Sequence, residues 1–297
     1  METRHLEYFV AVAEELSFTR AAERLHAVQS TISSGIAVLE REVGTALFTR
    51  STRHVALTGA GAELLATART TLEAVGQMRS VGARATGTVT GSLRVGMLTN
   101  LESLGLPEIF GAFRRTNPGV EMSMRTSPRG STGLVDDVRR SRVDVAFCGL
   151  SLDELSGVHA RVLRRQPFVA LLPGVHALSG QDSVAMSDLL DDDFVEMPTG
   201  FGTRKVVDEW FRAAGLRRRV TLEVPDLSTV PDYVAAGFGV AVVPQQTADD
   251  AHAGGVVVLP LVEELVWELS VIARSEGRSP AVDALLAHLA RTLPTPT

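Results

Sequence analysis

Gln29-Ser30-Thr31 and Ser33-Ser34 put five hydrogen-bonding side chains into six residues, interrupted only by Ile32. A glutamine amide offers a donor beside an acceptor, the pattern that pairs with adenine. Hydroxyls reach bases or phosphates, and a threonine methyl packs on thymine. The chain holds no competing set of reactive groups. Its histidines, at 5, 26, 54, 159, 176, 252 and 288, have no metal-ligand spacing. There is no H-E-x-x-H, G-x-S-x-G or Walker lysine motif. Gly237-Phe238-Gly239 sits between a helix and a following strand, the reverse of a dinucleotide site. Asp191-Asp192-Asp193 reads as a solvated acidic loop. Neither catalysis, a metal nor a cofactor is expected.

The elements that would carry those side chains follow from apolar spacing. Leu6, Phe9, Val10 and Ala13 recur at helical intervals over residues 4–15. Ser17 or Thr19 caps a second helix, whose Ala21, Ala22 and Leu25 form a narrow apolar face open to close approach. After a turn at His26 and Ala27, Ile32, Ile36, Leu39 and Val43 share one face of a third helix that Gly44 ends. The outward face is then Gln29, Ser30, Thr31, Ser33 and Ser34, beside Ser17 and Thr19. Two helices joined this way form a helix-turn-helix, whose second helix enters the major groove N-terminus first.

Residues 46–58 read as a two-stranded ribbon with Arg50, Arg53 and His54 around its tip, and Thr58 caps a long helix. Leu65 and Leu72, with Ala68 and Val75, repeat every seven residues along it, which suits a seam with a second copy. Docking of that helix within its own chain is the other reading. A Gly/Thr-rich linker, GARATGTVTGS, precedes alternating strands and helices, an order that implies a parallel sheet covered by helices and two lobes with a cleft between them. The net charge of −6 over 297 residues argues against wholesale polyanion binding. Through residue 60, six arginines face seven glutamates, so any nucleic-acid footprint there is local. Neither a signal sequence nor a membrane span is expected, which points to the cytoplasm. Cys148, the single cysteine, reads as a core residue in the strand VDVAFC.

Residues 1–61 resemble the DNA-binding domain of the LysR-type transcriptional regulators. The family's usual pattern is S-F-T-x-A-A-x-x-L-x-x-S-Q-P-A-L-S-x-x-I-x-x-L-E-x-x-L-G-x-x-L-F-x-R. Ser17, Phe18, Thr19, Ala21, Ala22, Leu25, Gln29, Ser33, Ile36, Leu39, Glu40, Gly44, Leu47, Phe48 and Arg50 match it. GSLRVGM, RRSRVDVAF and VAAGFGVAVVP resemble the family's effector domain. The resemblance implies that the ribbon is a wing whose arginines, Arg53 above all, contact phosphates or the minor groove. Val28 replaces the common serine, Ser30 the common proline, and Ser34-Gly35 a frequent arginine-glutamine pair. A cationic contact common in the family is therefore missing, and Gly35 costs the helix up to about 1 kcal/mol relative to alanine.

The resemblance also implies a two-lobed fold like that of periplasmic solute-binding proteins, with a small metabolite in the cleft. Thr99 and Asn100, just before a helix, are placed to meet it, and free backbone N–H groups there favour an anion. Ser127, Arg129 and Ser131 follow the next strand, and Thr199, Phe201 and Thr203 follow DFVEMP. The expected architecture is α/β. A winged helix-turn-helix (1–58) leads to a linker and dimerisation helix with hinge (59–90), then to an effector-binding domain (91–297). Lobe I would take about 91–161 and 268–297, and lobe II about 162–267. Double-stranded DNA, a small-molecule effector and further copies of the chain, in a homodimer or homotetramer, are the expected partners, with RNA polymerase beside them and no membrane. The alternative is a small-molecule-binding protein whose helix-turn-helix segment mediates protein contacts.

Overall fold

The computed structural model describes residues 1–50, 55–79, 89–99, 101, 104–249 and 254–293. The chain divides into a smaller unit, Met1–Gly91 with Arg140–Arg142, and a larger one, Ser92–Arg139 with Val143–Thr297.

The first unit is built from α1 (Thr3–Glu15), α2 (Phe18–Arg24), α3 (Gln29–Val43), the ribbon β1 (Phe48–Arg50) and β2 (Val55–Leu57), and α4 (Gly59–Arg79). Leu16 turns left-handed after α1, and the Ser17 hydroxyl accepts from Arg20 N at 3.3 Å to start α2. Gly44, at φ 81°, ends α3. Phe9, Val12, Ala21, Ile32, Ile36, Leu39 and Leu47 are fully buried, and the Phe48 ring packs against Phe9 and Phe18 at 5.5 and 5.9 Å. The Glu40 carboxylate accepts from Leu47 N and Phe48 N, fixing the entry to the ribbon. Thr58 caps α4 through Gly61 N at 3.0 Å. Val43, expected on the inner face of α3, is the last residue of that helix and is exposed. Leu65 and Ala68 are buried in this unit's own core, with Leu72 packed at its edge. This end of the stripe packs α4 against α1. Below it, Arg69 reaches Glu14 at 2.8 Å.

The larger unit begins with β3 (Thr90–Met97), α5 (Leu106–Thr116), β4 (Gly119–Thr126), α6 (Gly130–Arg139) and β5 (Val145–Cys148). Then follow β6 (Val158–Pro173), β7 (Asp193–Glu196), α7 (Gly202–Ala213), β8 (Arg219–Glu223), α8 (Val230–Ala235), β9 (Ala241–Pro244) and α9 (Gln245–Asp249). It ends with β10 (Val256–Pro260), β11 (Val266–Arg274) and α10 (Pro280–Thr292). The main sheet runs β10-β6-β11-β5-β3-β4, with β9 also on β6. β3 and β5 are parallel, as are β7 and β8, but β11 inserts antiparallel to both β5 and β6. The expected parallel sheet is thus a mixed one. The returning strand comes from the far end of the chain, and no helical crossover constrains its direction.

β6 makes the two lobes. Its first half, Val158–Pro167, pairs with β11, while Phe168–Pro173 pairs with β9 and β10. One strand therefore belongs to both lobes, and β11 runs beside it with a register shift between Leu269 and Ser270. Lobe I closes around Leu134, Val138, Val143, Ala146 and Ile272, and lobe II around Leu171, Val195, Val230, Val234 and Ala241.

Candidate DNA-binding face and ligand cleft

α3 buries Ile32, Gly35, Ile36 and Leu39 and exposes Gln29, Ser30, Thr31 and Ser34, with Ser33 half-buried. Val28 stands at the N-cap, 69% exposed, and provides no side-chain cap. The N–H groups of the first turn thus keep their partial positive charge at the outward end, a setting that favours a phosphate oxygen. His26 takes the left-handed turn, φ 50°, that swings α3 away from α2. Gly35 has a packing role: a Cβ there would meet Tyr8 Cδ2 at 2.6 Å, so α1 lies closer to α3 than a side chain would allow. Thr19 is exposed, and Ser17 is occupied as a cap. Arg50 ends β1, while Arg53 and His54 lie outside the described residues.

Charge around this face is largely committed. Glu14 takes Arg24 at 2.7 Å and Arg69 at 2.8 Å. Burial alone would raise its pKa, but the hydrogen bonds and charges of Arg69 and Arg24 outweigh it and hold the carboxyl below its ordinary value.

In the larger unit the loops after β4 and β7 meet across the lobes. Thr132 donates through its N–H (3.2 Å) and its hydroxyl (3.1 Å) to Gly200 O. Four glycines line the contact. A Cβ on Gly130 would strike the Phe201 ring at 2.7 Å, and one on Gly200 would strike Arg129 O at 2.8 Å. Gly202 faces Gly149 O, and Gly149 faces the Trp267 indole. The two groups Ser127–Ser131 and Thr199–Thr203 are therefore brought together, although several members are engaged elsewhere. Ser127 accepts from Arg129 N within its own turn, and Arg129 is exposed and paired with Asp136 at 3.1 Å. The buried Ser131 hydroxyl accepts from Gly149 N, and Thr203 is buried in α7. Thr99 and Thr199 are exposed, and Asn100 lies outside the described residues.

Sequence reasoning missed a polar cluster where β6 and β11 cross between lobes. Arg164 and Gln166 both donate to Gln246 Oε1, at 2.6 and 2.7 Å. They line a small cavity with Trp267, Leu101 and Leu227, about 20 Å³, room for a water molecule. Among the described residues, Gln166 Oε1, Trp267 Nε1 and Ser270 Oγ are buried with no hydrogen-bond partner. Each such group costs about 1 to 3 kcal/mol. Gln166 and Trp267 are 9% and 8% exposed, so their free polar atoms face the interior rather than solvent. The available sequence signals were a serine inside the apolar strand VWELSVIAR and a glutamine before FVALLP.

Two other buried groups lie apart from this cavity. Glu196 meets Arg218 at 2.6 Å, and the Arg218 guanidinium lies over the rings of Phe194 and Phe211. Burial pushes the Glu196 carboxyl up to about 7 despite that arginine. Cys148 is completely buried at the end of β5, and burial pushes its thiol up to about 11. Among the described residues no acidic, histidine or cysteine group is arranged to hold a metal, and no helix is long and apolar enough to cross a membrane.

A helix-turn-helix with a polar outward first turn, followed by a two-lobed α/β unit with unsatisfied polar groups at the lobe crossing, defines a ligand-responsive DNA-binding regulator. Residues 3–62 match the family described as "Bacterial regulatory helix-turn-helix protein, lysR family", and residues 86–294 match "LysR substrate binding domain". The chain belongs to the LysR family of transcriptional regulators. It is 33% identical over 285 residues to the transcriptional dual regulator GltC of Bacillus subtilis (strain 168), covering 96% of this chain and 94% of that one. A full-length OxyR variant from Pseudomonas aeruginosa superposes with a TM-score of 0.77 at 26% identity, covering 98% of this chain and 95% of that one. Full-length BenM does so at 0.57 and 27%, covering 98% and 96%. These relatives are regulators rather than enzymes, and the chain is a DNA-binding transcription regulator with an effector-binding domain.

Proposed function

We propose that this regulator reads DNA through Gln29, Ser30, Thr31, Ser33 and Ser34, with Thr19, Arg50, Arg53 and His54 anchoring phosphates. Its effector is held at the lobe crossing. The observation that carries the second part is the trio of buried unpartnered atoms on Gln166, Trp267 and Ser270. Gln166 and Trp267 both line the cavity, and a ligand that accepts one hydrogen bond and donates another would satisfy their buried indole N–H and amide oxygen. The positive charge of Arg164 on the cavity wall favours a small anion such as a carboxylate. Thr99, Asn100, Ser127, Thr199 and Phe201 are the further effector contacts in this reading. Since the cavity is narrow, binding must part the lobes at Thr132–Gly200 before they close again. A ligand shifts this equilibrium only by its preference for one state.

The working division is a DNA-binding segment 1–58, a linker helix and hinge 59–90, and an effector domain 91–297. Chains pair along the outer part of α4, where Val75 is half-exposed and Met78 is 66% exposed, into dimers or tetramers that match two-fold DNA half-sites. The protein acts in the cytoplasm, with RNA polymerase as the recipient of the signal. With Cys148 as its single cysteine, the chain cannot close a disulfide within itself, so its signal is a bound ligand rather than an internal thiol switch.

The test is a thermal-shift screen of small mono- and dicarboxylates, with each hit repeated on Gln166→Ala. The crossing site predicts that stabilisation disappears in the variant. Equal stabilisation of both proteins places the ligand elsewhere.

A further inference from the structure

The outward face of α3 carries no charge from Gln29 to Leu39; the first charged residue is Glu40. A helix about 10 to 12 Å across fills a major groove about 12 Å wide, so its flanks lie against phosphate-lined walls. A reader with no cation on those flanks would bind weakly, because phosphate neutralisation supplies much of the affinity.

Arg41 lies only in the last turn of α3, and a cation beside its first turns stands on a different helix. An open groove between α1 and α3 is lined by Arg4, His5 and Tyr8 on one side and by Ser30, Thr31 and Ser34 on the other, with Glu2 at its end. Arg20 and Arg24 pair with Glu15 and Glu14, and Arg69 is buried against Glu14. Arg4 differs from them: it is exposed and, like Arg41 in the last turn of α3, has no hydrogen bond or ion pair among the described residues. Its position depends on Gly35. A Cβ there would strike Tyr8 at 2.6 Å and approach His5 at 3.3 Å, so the glycine lets the start of α1 settle beside Ser34.

We propose that Arg4 is a DNA-contacting residue of this protein, holding a phosphate of the groove wall beside Ser34 and supplying the cation that α3 lacks from Gln29 to Leu39. The contact rests on the DNA-binding reading of α3. It anchors without reading sequence, since phosphates carry no base identity.

The test measures binding to the duplex upstream of the protein's own gene and to a scrambled duplex, over a salt series. Arg4→Ala removes one phosphate contact from each subunit, two from a DNA-bound dimer, so the slope of log affinity against log salt falls by about 1.8 and the wild-type advantage shrinks about 12-fold between 50 and 200 mM salt. The ratio between the two duplexes should stay constant. Arg4→Lys should keep the wild-type slope, and Ser34→Arg should restore it in the Arg4→Ala protein. An unchanged slope in Arg4→Ala, or a changed duplex ratio at constant slope, overturns the phosphate contact. Failure of the wild-type protein to show any salt-dependent binding would instead overturn the DNA-binding reading itself. Circular dichroism separates either result from misfolding, and loss of the slope in a folded Arg4→Lys also refutes the proposal.

Discussion

Replacing Gly202 with alanine puts a methyl group against the backbone of the facing lobe. The added Cβ would stand 2.0 Å from Gly149 O and 2.5 Å from its carbonyl carbon, whereas ordinary contact begins at 3.4 Å. Neither atom belongs to a side chain that can rotate away, so the lobes must part by more than 1 Å. Parting breaks the bond that the Thr132 N–H donates to Gly200 O, while the Thr132 hydroxyl, shared between Gly200 O and Arg129 O, keeps Arg129 O at 2.9 Å. The lost bond is worth about 0.5 to 1.5 kcal/mol net, so the open population rises about two- to 13-fold. Hydrogen exchange read by mass spectrometry measures this directly. The peptide containing the Thr132 amide should exchange faster by a factor in that range, while peptides from β3 and β5 keep their protection. Unchanged exchange at Thr132 would refute the closed clasp. Uniform acceleration through both lobes would show that the methyl unfolds the domain instead of opening it.

Glu14→Gln tests the ion pair beneath α4. The folded-state pKa of Glu14 is lowered, so its stabilisation is present above the ordinary value of 4.5 and is lost as pH falls through the folded value. The variant should lose about 3 kcal/mol in urea unfolding at pH 7, with the deficit shrinking as the pH falls below the ordinary value of 4.5 and through the lowered folded one; a deficit that does not change with pH contradicts an electrostatic origin. Cys148, fully buried with its thiol pushed up to about 11, should resist iodoacetamide in native buffer and react only after denaturation. Stoichiometric labelling of the folded protein would contradict that burial.

The helix pair is legible in the sequence because α-helical spacing, the Ser17 cap and the Gly44 terminus all agree locally. α4 is ambiguous there, since Leu65, Ala68 and Leu72 have the same spacing whether they face their own core or another chain. The crossing strand β6 is half hidden. Arg161, Arg164 and Arg165 interrupt its apolar alternation, so only FVALLP reads as a strand. The polar cavity is the least legible feature: Gln166, Gln246 and Trp267 come from β6, α9 and β11, and only the strand crossing brings them together. Arg4 is hidden for a similar reason, because a sequence motif ranks α3 residues and says nothing of what α1 places beside them.

That α3 reads DNA is tested most directly by fluorescence anisotropy of the full chain on the duplex upstream of its own gene, against a scrambled duplex and with Gln29→Ala in parallel. With α3 in the major groove, the protein should prefer the first duplex, its affinity should fall steeply with salt, and the variant should keep its fold but lose the preference. A preference unchanged in Gln29→Ala would contradict the placement of α3 in the groove.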